Sequence, residues 1–311
     1  MSSTADLHHL EHPALLYRSL EDFLEVMVPY VRAGIDNEES VFVAARGDYL
    51  PALRAKLNDR AEAAQFADTF EWHPHPASRL RAFHECVSDE LEAGAGRIRL
   101  AGEPVWRSEP PEFTREWQRY ESVLNDVLAP FPVRLMCLYD LSRLHPSILD
   151  GALRTHPTIH RGGTQGASDD FEEPEEFLRR RNPPPPAPPA HAASLPNVPD
   201  THRSRRFLSE TALRAGIPPD RAADLNVAAN EVLTNALVHG GGASMWAWTE
   251  GGRFVCHIED RGIGISDPLA GYKPPSEHVS NGRGLWIARQ LVDLLQIVPG
   301  PTGTVVRLWI R

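Results

Sequence analysis

Residues 183–189 read Pro-Pro-Pro-Pro-Ala-Pro-Pro. No helix interior or central strand tolerates such a run, because each proline fixes φ and removes a backbone donor. Proline runs favour extended polyproline II and act as semi-rigid spacers. Around this one lie Gly162-Gly163, an acidic stretch from Asp169 to Glu176, and Arg179-Arg180-Arg181. A linker is therefore expected over 166–200, with Phe171 and Phe177 able to dock part of it onto a domain. It divides the 311 residues into an N-terminal domain over 8–165 and a C-terminal domain over 201–311.

Composition bounds the function classes. With 41% hydrophobic and 24% charged residues, each half can bury a core. A net charge of −10 argues against a nucleic-acid surface. The N-terminus, Met-Ser-Ser-Thr-Ala-Asp, lacks the basic region and apolar run of a signal peptide. No segment approaches the ~18 apolar residues of a membrane span. A soluble, cytoplasmic protein is expected, with no direct nucleic-acid or membrane partner. Cys86, Cys137 and Cys256 sit in separate apolar segments without metal-ligand spacing and read as buried free thiols. His8, His9 and His12 cluster near the N-terminus, but no nearby Cys or acidic pattern completes a metal site. A solvated or locally packed role is expected for them.

The C-terminal half carries the sharper signal. Residues 229–240 read as one amphipathic helix, with Leu225, Ala229, Val232, Leu233 and Ala236 at helical spacing for a core. Glu231, Asn235 and His239 are four apart and fall on a neighbouring polar stripe. A carboxylate and a carboxamide one turn apart suit a metal-bound phosphate site. The amide oxygen of Asn235 is a hard ligand for Mg²⁺, and Glu231 can accept a proton from an attacking hydroxyl. There follow Asp260-Arg261-Gly262-Ile263-Gly264, then Asn281-Gly282-Arg283-Gly284-Leu285, then Gly303-Thr304 opening an apolar run. Glycines at 262 and 264 let the backbone bend without a Cβ clash. A helix starting at Gly282 and Gly284 offers free N–H groups to phosphates. Helices are expected at 205–215 and 284–295 and strands at 243–249, 254–259 and 304–310, giving helices on one face of a mixed sheet.

The order of these motifs resembles the GHKL (histidine-kinase-like, Bergerat-fold) ATPase and kinase superfamily. The resemblance implies an α/β sandwich that binds ATP with Mg²⁺. Asp260 would take the adenine amino group; Gly262, Gly264, Gly282, Gly284 and Leu285 would line the nucleotide, with Arg283 adding charge; Asn235 would hold Mg²⁺. Glu231 would be the catalytic residue. The short segment between Asp260 and Gly282, Asn230-Glu231 before Asn235, and His239-Gly240 closing the helix are similar to the anti-sigma-factor serine kinases. That implies a protein serine/threonine kinase that binds a sigma factor, phosphorylates an antagonist of the STAS class, and dimerises. Two alternatives stand beside it. One is a non-catalytic, ATP-dependent binding switch, which has no need of Glu231. The other is a histidine-kinase-like sensor, opposed by a linker without the heptads of a phosphoacceptor hairpin.

In the N-terminal half, helices are expected at 20–34, 49–57, 80–91 and 113–128, and strands at 41–45, 69–72, 97–101 and 133–139. This alternation implies a mostly parallel sheet covered by helices. Ligands of such sheets bind beyond the carboxyl ends of the strands, so Arg46, Glu103, Trp106, Tyr139 and Asp140 form a candidate sensory pocket. The turn after the first expected strand, Arg46-Gly47-Asp48-Tyr49, lacks the Gly-Lys-Ser/Thr of a Walker loop and is assigned no nucleotide. His12 to Tyr17, Glu103-Pro104-Val105-Trp106, Trp117 with Tyr120-Glu121, Cys137-Leu138-Tyr139-Asp140 and Thr155-His156-Pro157 together resemble the MEDS sensory domain. That resemblance implies a RecA-like α/β fold and a small-molecule ligand.

Overall fold

The computed structural model describes residues 10–73, 75–106, 110–198, 200–239, 241–275, 282–300 and 302–311. The chain divides into two compact units that meet between Leu178 and Arg179. In chain order the first contains β1 (Pro13–Tyr17), α1 (Leu20–Asp36), β2 (Ser40–Ala45), α2 (Leu50–Leu57) and β3 (Gln65–Asp68). It continues with α3 (Pro76–Glu92), β4 (Ile98–Gly102), α4 (Pro111–Val127), β5 (Val133–Asp140) and α5 (Pro146–Thr155). It closes with β6 (Thr158–Arg161), β7 (Thr164–Ala167) and α6 (Pro174–Arg180), whose last residues cross into the second unit.

These strands form one sheet in the order β3-β2-β4-β5-β1-β6-β7, parallel throughout except for β7. Side chains alternate between its faces. Leu15, Tyr17, Val43, Met136 and Leu138 meet Phe23, Met27, Val31, Leu53 and Leu57 of α1 and α2. Residues of the other parity face α3, α4 and α5; a Cβ on Gly102 would come within 2.9 Å of Phe83 of α3. The parallel α/β reading holds, but its centre differs. β1 sits between β5 and β6, where the sequence led to no strand, because Ala14–Tyr17 is a four-residue apolar run in polar surroundings. The third strand ends at Asp68, not within 69–72. The Asp68 carboxylate accepts the Phe70 N–H at 2.8 Å, which turns the chain out of the sheet.

The second unit holds β8 (Ala193–Leu195), α7 (Thr201–Arg214), α8 (Pro219–His239), β9 (Ala243–Glu250) and β10 (Arg253–Asp260). Then come α9 (Arg283–Leu291), β11 (Leu294–Gly300) and β12 (Gly303–Ile310). Its sheet runs β11-β12-β10-β9-β8 and is antiparallel at every pair, which corrects the expectation of a mixed sheet. The helix expected through 295 ends at Leu291. Val292 is extended (φ −119°, ψ 160°), and the chain returns as β11. Leu291, Val292 and Leu295 fit a helical and a strand period equally well, so the pattern alone left the end open. Ala243, Met245, Ala247, Phe254, Cys256, Ile258, Val306, Leu308 and Ile310 turn to one face, beneath α7, α8 and α9. On α8, Leu225, Ala229, Val232, Leu233 and Ala236 are all buried, as their spacing requires.

The stretch expected as a spacer divides between the two units. Phe177 and Leu178 are buried at 0% and 1% exposure. Beyond them the chain lies along the outer face of the antiparallel sheet. Asn182 Nδ2 donates to the Ile297 carbonyl at 2.6 Å, Gln296 to the Pro183 carbonyl at 3.0 Å, and Arg307 Nη2 to the Pro186 carbonyl at 2.5 Å. Residues 193–195 then pair with β9 as its edge strand. Prolines keep their carbonyls as acceptors, and the extended run offers them to the buried side chains of β11 and β12.

Candidate functional site

A pocket of about 310 Å³ opens between α8, the end of β10 and the start of α9. Val232, Asn235, His239, Asp260, Gly262, Ile263, Gly264, Ile265, Gly282, Leu285, Thr304 and Val306 line it. Asn235, Asp260, Gly262, Gly264, Gly282 and Leu285, the residues singled out from spacing, thus converge on one cavity. Helix α8 delivers Asn235 because its apolar stripe is pinned to the sheet, which turns the polar stripe toward the opening. Asp260 ends β10. Its Oδ1 accepts the N–H of Gly262 at 2.9 Å and of Thr304 at 3.0 Å. Among the described residues its Oδ2 has no partner. The carboxylate is thereby held by the turn and by β12 while one oxygen stays available to a ligand.

The glycines have distinct physical causes. Gly303 has φ +144°, and a Cβ there would lie 2.0 Å from the Asp260 carbonyl oxygen. Its bareness lets β12 close over the Asp260 turn. A Cβ on Gly284 would lie 2.4 Å from Glu231 Oε2. Glu231 does not line the pocket; its carboxylate rests on the first turn of α9, beside the phosphate-binding end the motif implies. A carboxylate at a helix N-terminus is favoured by the helix dipole. Gly282 is the N-cap at φ +94°, without a side-chain cap. The first N–H groups of α9 are therefore uncapped by its own side chains. Arg283 and Gly284 belong to this first turn and do not line the cavity. His239 and Thr304 do line it, although the sequence favoured a helix-end and a strand role for them. Gly240 lies outside the described residues, as do residues 276–281 of the short segment between Asp260 and Gly282.

The donor set fits ATP and Mg²⁺. Val232, Ile265, Leu285 and Val306 supply apolar walls for a base, Asp260 a free carboxylate oxygen, α9 a helix N-terminus, and Asn235 a hard oxygen.

At the carboxyl ends of the parallel strands, the residues expected to make a sensory pocket largely engage one another. Arg46 Nη1 donates to Asp140 Oδ2 at 2.8 Å, its Nε to Asp48 Oδ1 at 2.8 Å, and its backbone N–H to Glu103 Oε2 at 3.0 Å. Burial pushes the Glu103 carboxyl up to about 7, against the opposing pull of Arg46. Trp106 lies between Trp117 and Tyr139 in tilted ring contacts, at centroid separations of 6.2 Å and 6.3 Å. Tyr139 turns beneath α4 and α5, where its ring meets that of His156 at 5.5 Å.

His12 takes the locally packed role; it is 1% exposed, and its Nε2 lies 3.2 Å from the Sγ of Cys137. Cys137 and Cys256 are buried free thiols as expected, whereas Cys86 is only partly buried. The sequence separation, 125 residues, hid the pair. His8 and His9 lie outside the described residues.

Residues 11–157 match the family model of the MEDS domain, the methanogen/methylotroph, DcmR sensory domain. Residues 195–310 match the histidine kinase-like ATPase domain. The chain is thus a MEDS domain joined to a histidine kinase-like ATPase domain. Among solved structures, the RsbU and RsbW domains of Rv1364c from Mycobacterium tuberculosis are 23% identical, with a TM-score of 0.30. The match covers 40% of this chain and 33% of that one, so the chain spans about a third of that protein's length. The histidine kinase domain of the blue-light activated histidine kinase from Erythrobacter litoralis EL346 is 22% identical, with a TM-score of 0.24, covering 40% of this chain and 69% of that one. No curated protein matches. No helix among the described residues is long and apolar enough to cross a membrane.

Proposed function

We propose that the C-terminal unit is an ATP-dependent protein serine/threonine kinase, and that the chain is an anti-sigma regulatory factor. Its substrate is a STAS-type antagonist, its second partner a sigma factor, and its working form a homodimer. The N-terminal unit regulates it by sensing a small molecule near Arg46, Glu103, Trp106, Tyr139 and Asp140.

The observation that carries the reading is the position of Glu231. Its carboxylate lies against Gly284 at the start of α9, one helical turn before Asn235, which lines the same cavity as Asp260. A pure binding site for ATP has no use for a base at that place. Asp260 Oδ2 selects adenine by accepting from its 6-amino group, where guanine carries an oxygen that cannot donate. The first N–H groups of α9 hold phosphate oxygens. Mg²⁺, when held by Asn235, neutralises phosphate charge. Glu231 takes the proton of the partner's Ser or Thr hydroxyl as that oxygen attacks the γ-phosphorus and ADP leaves. Such transfer depends on positioning and charge stabilisation more than on covalent chemistry.

The test is transfer of radiolabelled γ-phosphate to candidate STAS partners from the same genome. Glu231→Ala is expected to lower the rate by at least ~100-fold, the scale of a lost general base, with ATP affinity nearly unchanged. Asp260→Asn is expected to weaken ATP binding first. Partner capture without label, despite ATP binding, would sink the kinase reading in favour of a binding switch. Unchanged ATP affinity in Asp260→Asn would remove the adenine assignment.

A further inference from the structure

Four chemistry-bearing residues that play no part in the ATP site meet inside the N-terminal unit. His12 precedes β1, Glu121 is on α4, Cys137 is on β5 and His156 follows α5. All four are buried, at 1%, 1%, 2% and 0% exposure. Their ligand atoms all lie within 4.8 Å of one another. The four come from distant parts of the chain, and the parallel pairing of β1 with β5 brings the first and third together.

The hydrogen bonds around the cluster fix which atoms face inward. Asn125 Nδ2 donates to the carbonyls of Ser122 and Thr155, at 3.1 Å and 2.8 Å. Its Oδ1 is therefore the acceptor, and His12 Nδ1 donates to it at 3.0 Å. His156 Nδ1 lies 2.9 Å from the Ala152 carbonyl, which can only accept, so this nitrogen too carries a proton. The Thr155 hydroxyl donates to the Gly151 carbonyl at 3.0 Å and presents its oxygen to the same His156 nitrogen at 3.0 Å. Both imidazoles are thus held by their Nδ1–H groups and aim Nε2 into the cluster. This is how metal-bound histidines are oriented by their outer partners.

Two of the inward atoms lack the partners that burial demands. His156 Nε2 and Glu121 Oε2 face each other at 3.3 Å. Neither makes a hydrogen bond among the described residues. Two lone pairs turned toward each other in a dry interior are costly unless a shared proton or a metal cation lies between them.

We infer that His12, Glu121, Cys137 and His156 form a closed, four-ligand site for one divalent first-row transition-metal ion, with zinc the expected occupant. The set of two imidazole nitrogens, one thiolate and one carboxylate oxygen matches zinc and excludes Mg²⁺ and Ca²⁺, which avoid sulfur. Tetrahedral ligands at zinc distances stand roughly 3.3–3.7 Å apart. The His12–Cys137 and Glu121–His156 separations, 3.2 Å and 3.3 Å, are already close to that. A thiolate and a carboxylate balance the two positive charges, so the filled site is neutral, as a buried site requires. On binding, Cys137 releases its thiol proton to solvent. The ion would tie the entry to β1, α4, β5 and the end of α5 into one body. The inference is independent of the kinase reading.

The experiment uses the full-length wild-type chain. Elemental analysis of protein isolated without chelator should give one zinc per chain. X-ray absorption at the zinc edge should show one sulfur and three nitrogen or oxygen neighbours, which needs no variant to fold. Protein stripped by chelator in denaturant and refolded with Co²⁺ should show thiolate-to-cobalt charge transfer and the strong visible bands of tetrahedral cobalt. Cys137→Ser and His156→Gln should each abolish the charge-transfer band or the stoichiometric binding, while Cys256→Ser, in the other unit, should leave both intact. Folded wild-type protein with neither zinc nor a cobalt spectrum overturns the site. So does a metal shell with no sulfur or more than one.

Discussion

At the scale of single residues, two glycines beside the candidate ATP pocket separate the proposed catalysis from construction. Gly284 excludes a Cβ only because the far end of the Glu231 side chain occupies the space. Gly284→Ala should therefore leave the fold nearly intact, since a carboxylate can swing aside, while displacing the proposed base. Phosphoryl transfer should fall at least ~10-fold, a modest misplacement, with ATP affinity little changed, measured by transfer assay and titration calorimetry. Gly303 excludes a Cβ because backbone occupies the space, and its φ of +144° is unsuited to any other residue. Gly303→Ala should weaken ATP binding and stability together, by about 1–3 kcal/mol in the latter. If both variants behave alike, the distinction between side-chain and backbone neighbours is wrong.

Glu103 offers a test by pH. Its ordinary value is 4.5, and burial raises it to about 7 in the folded unit. Between those values the folded state keeps a proton that the unfolded state has lost. The contribution of the neutral carboxyl is thus complete below about 4.5 and is lost as pH rises through about 7. The full effect is on the order of 3 kcal/mol. Glu103→Gln keeps an acceptor for the Arg46 N–H and cannot ionise. Denaturant midpoints measured from acid to neutral pH should fall in the wild type relative to this variant. Parallel profiles would show that Glu103 does not titrate there.

At the scale of elements, legibility depended on length and on local chemistry. Helix α8 was readable because 21 residues carry one uninterrupted apolar stripe, and Asn235, which lines the pocket, fell on the polar stripe beside it. The Asp260 and Gly282 turns were readable because glycine spacing marks them locally. β1 was not, being five residues beside histidines that drew attention as solvent-facing groups. Nor was the His12, Glu121, Cys137 and His156 cluster, because four residues on four elements leave no local spacing. α6 shows the same limit. Within an acidic, proline-containing stretch, only Phe177 and Leu178 mark it as packed, and both are fully buried. Phe177→Ala should cost the N-terminal unit about 3–5 kcal/mol, read as loss of its thermal transition or a marked drop in its midpoint. A change near zero would mean that α6 is an appendage.

At the scale of the whole molecule, the proline run is where composition misleads most. Its prolines exclude regular structure, yet their carbonyls serve as partners for polar side chains of the antiparallel sheet. Gln296 and Arg307 are 8% and 4% exposed. They bond to the carbonyls of Pro183 and Pro186. The edge of β9 is covered by residues 193–195. The compact unit that holds the candidate ATP pocket therefore begins at Arg179, before the first helix that sequence patterning assigns to it. A fragment of residues 179–311 should melt cooperatively and bind ATP as the full chain does. A fragment beginning at residue 201 leaves buried donors of Gln296 and Arg307 without those acceptors, at about 1–3 kcal/mol for each group. It also exposes a long strand edge to association. Thermal melting and light scattering of the two fragments should show the shorter one less stable and prone to aggregate. Equal melting temperatures and equal solubility would mean that the run only rests on the sheet, as the spacer its composition describes.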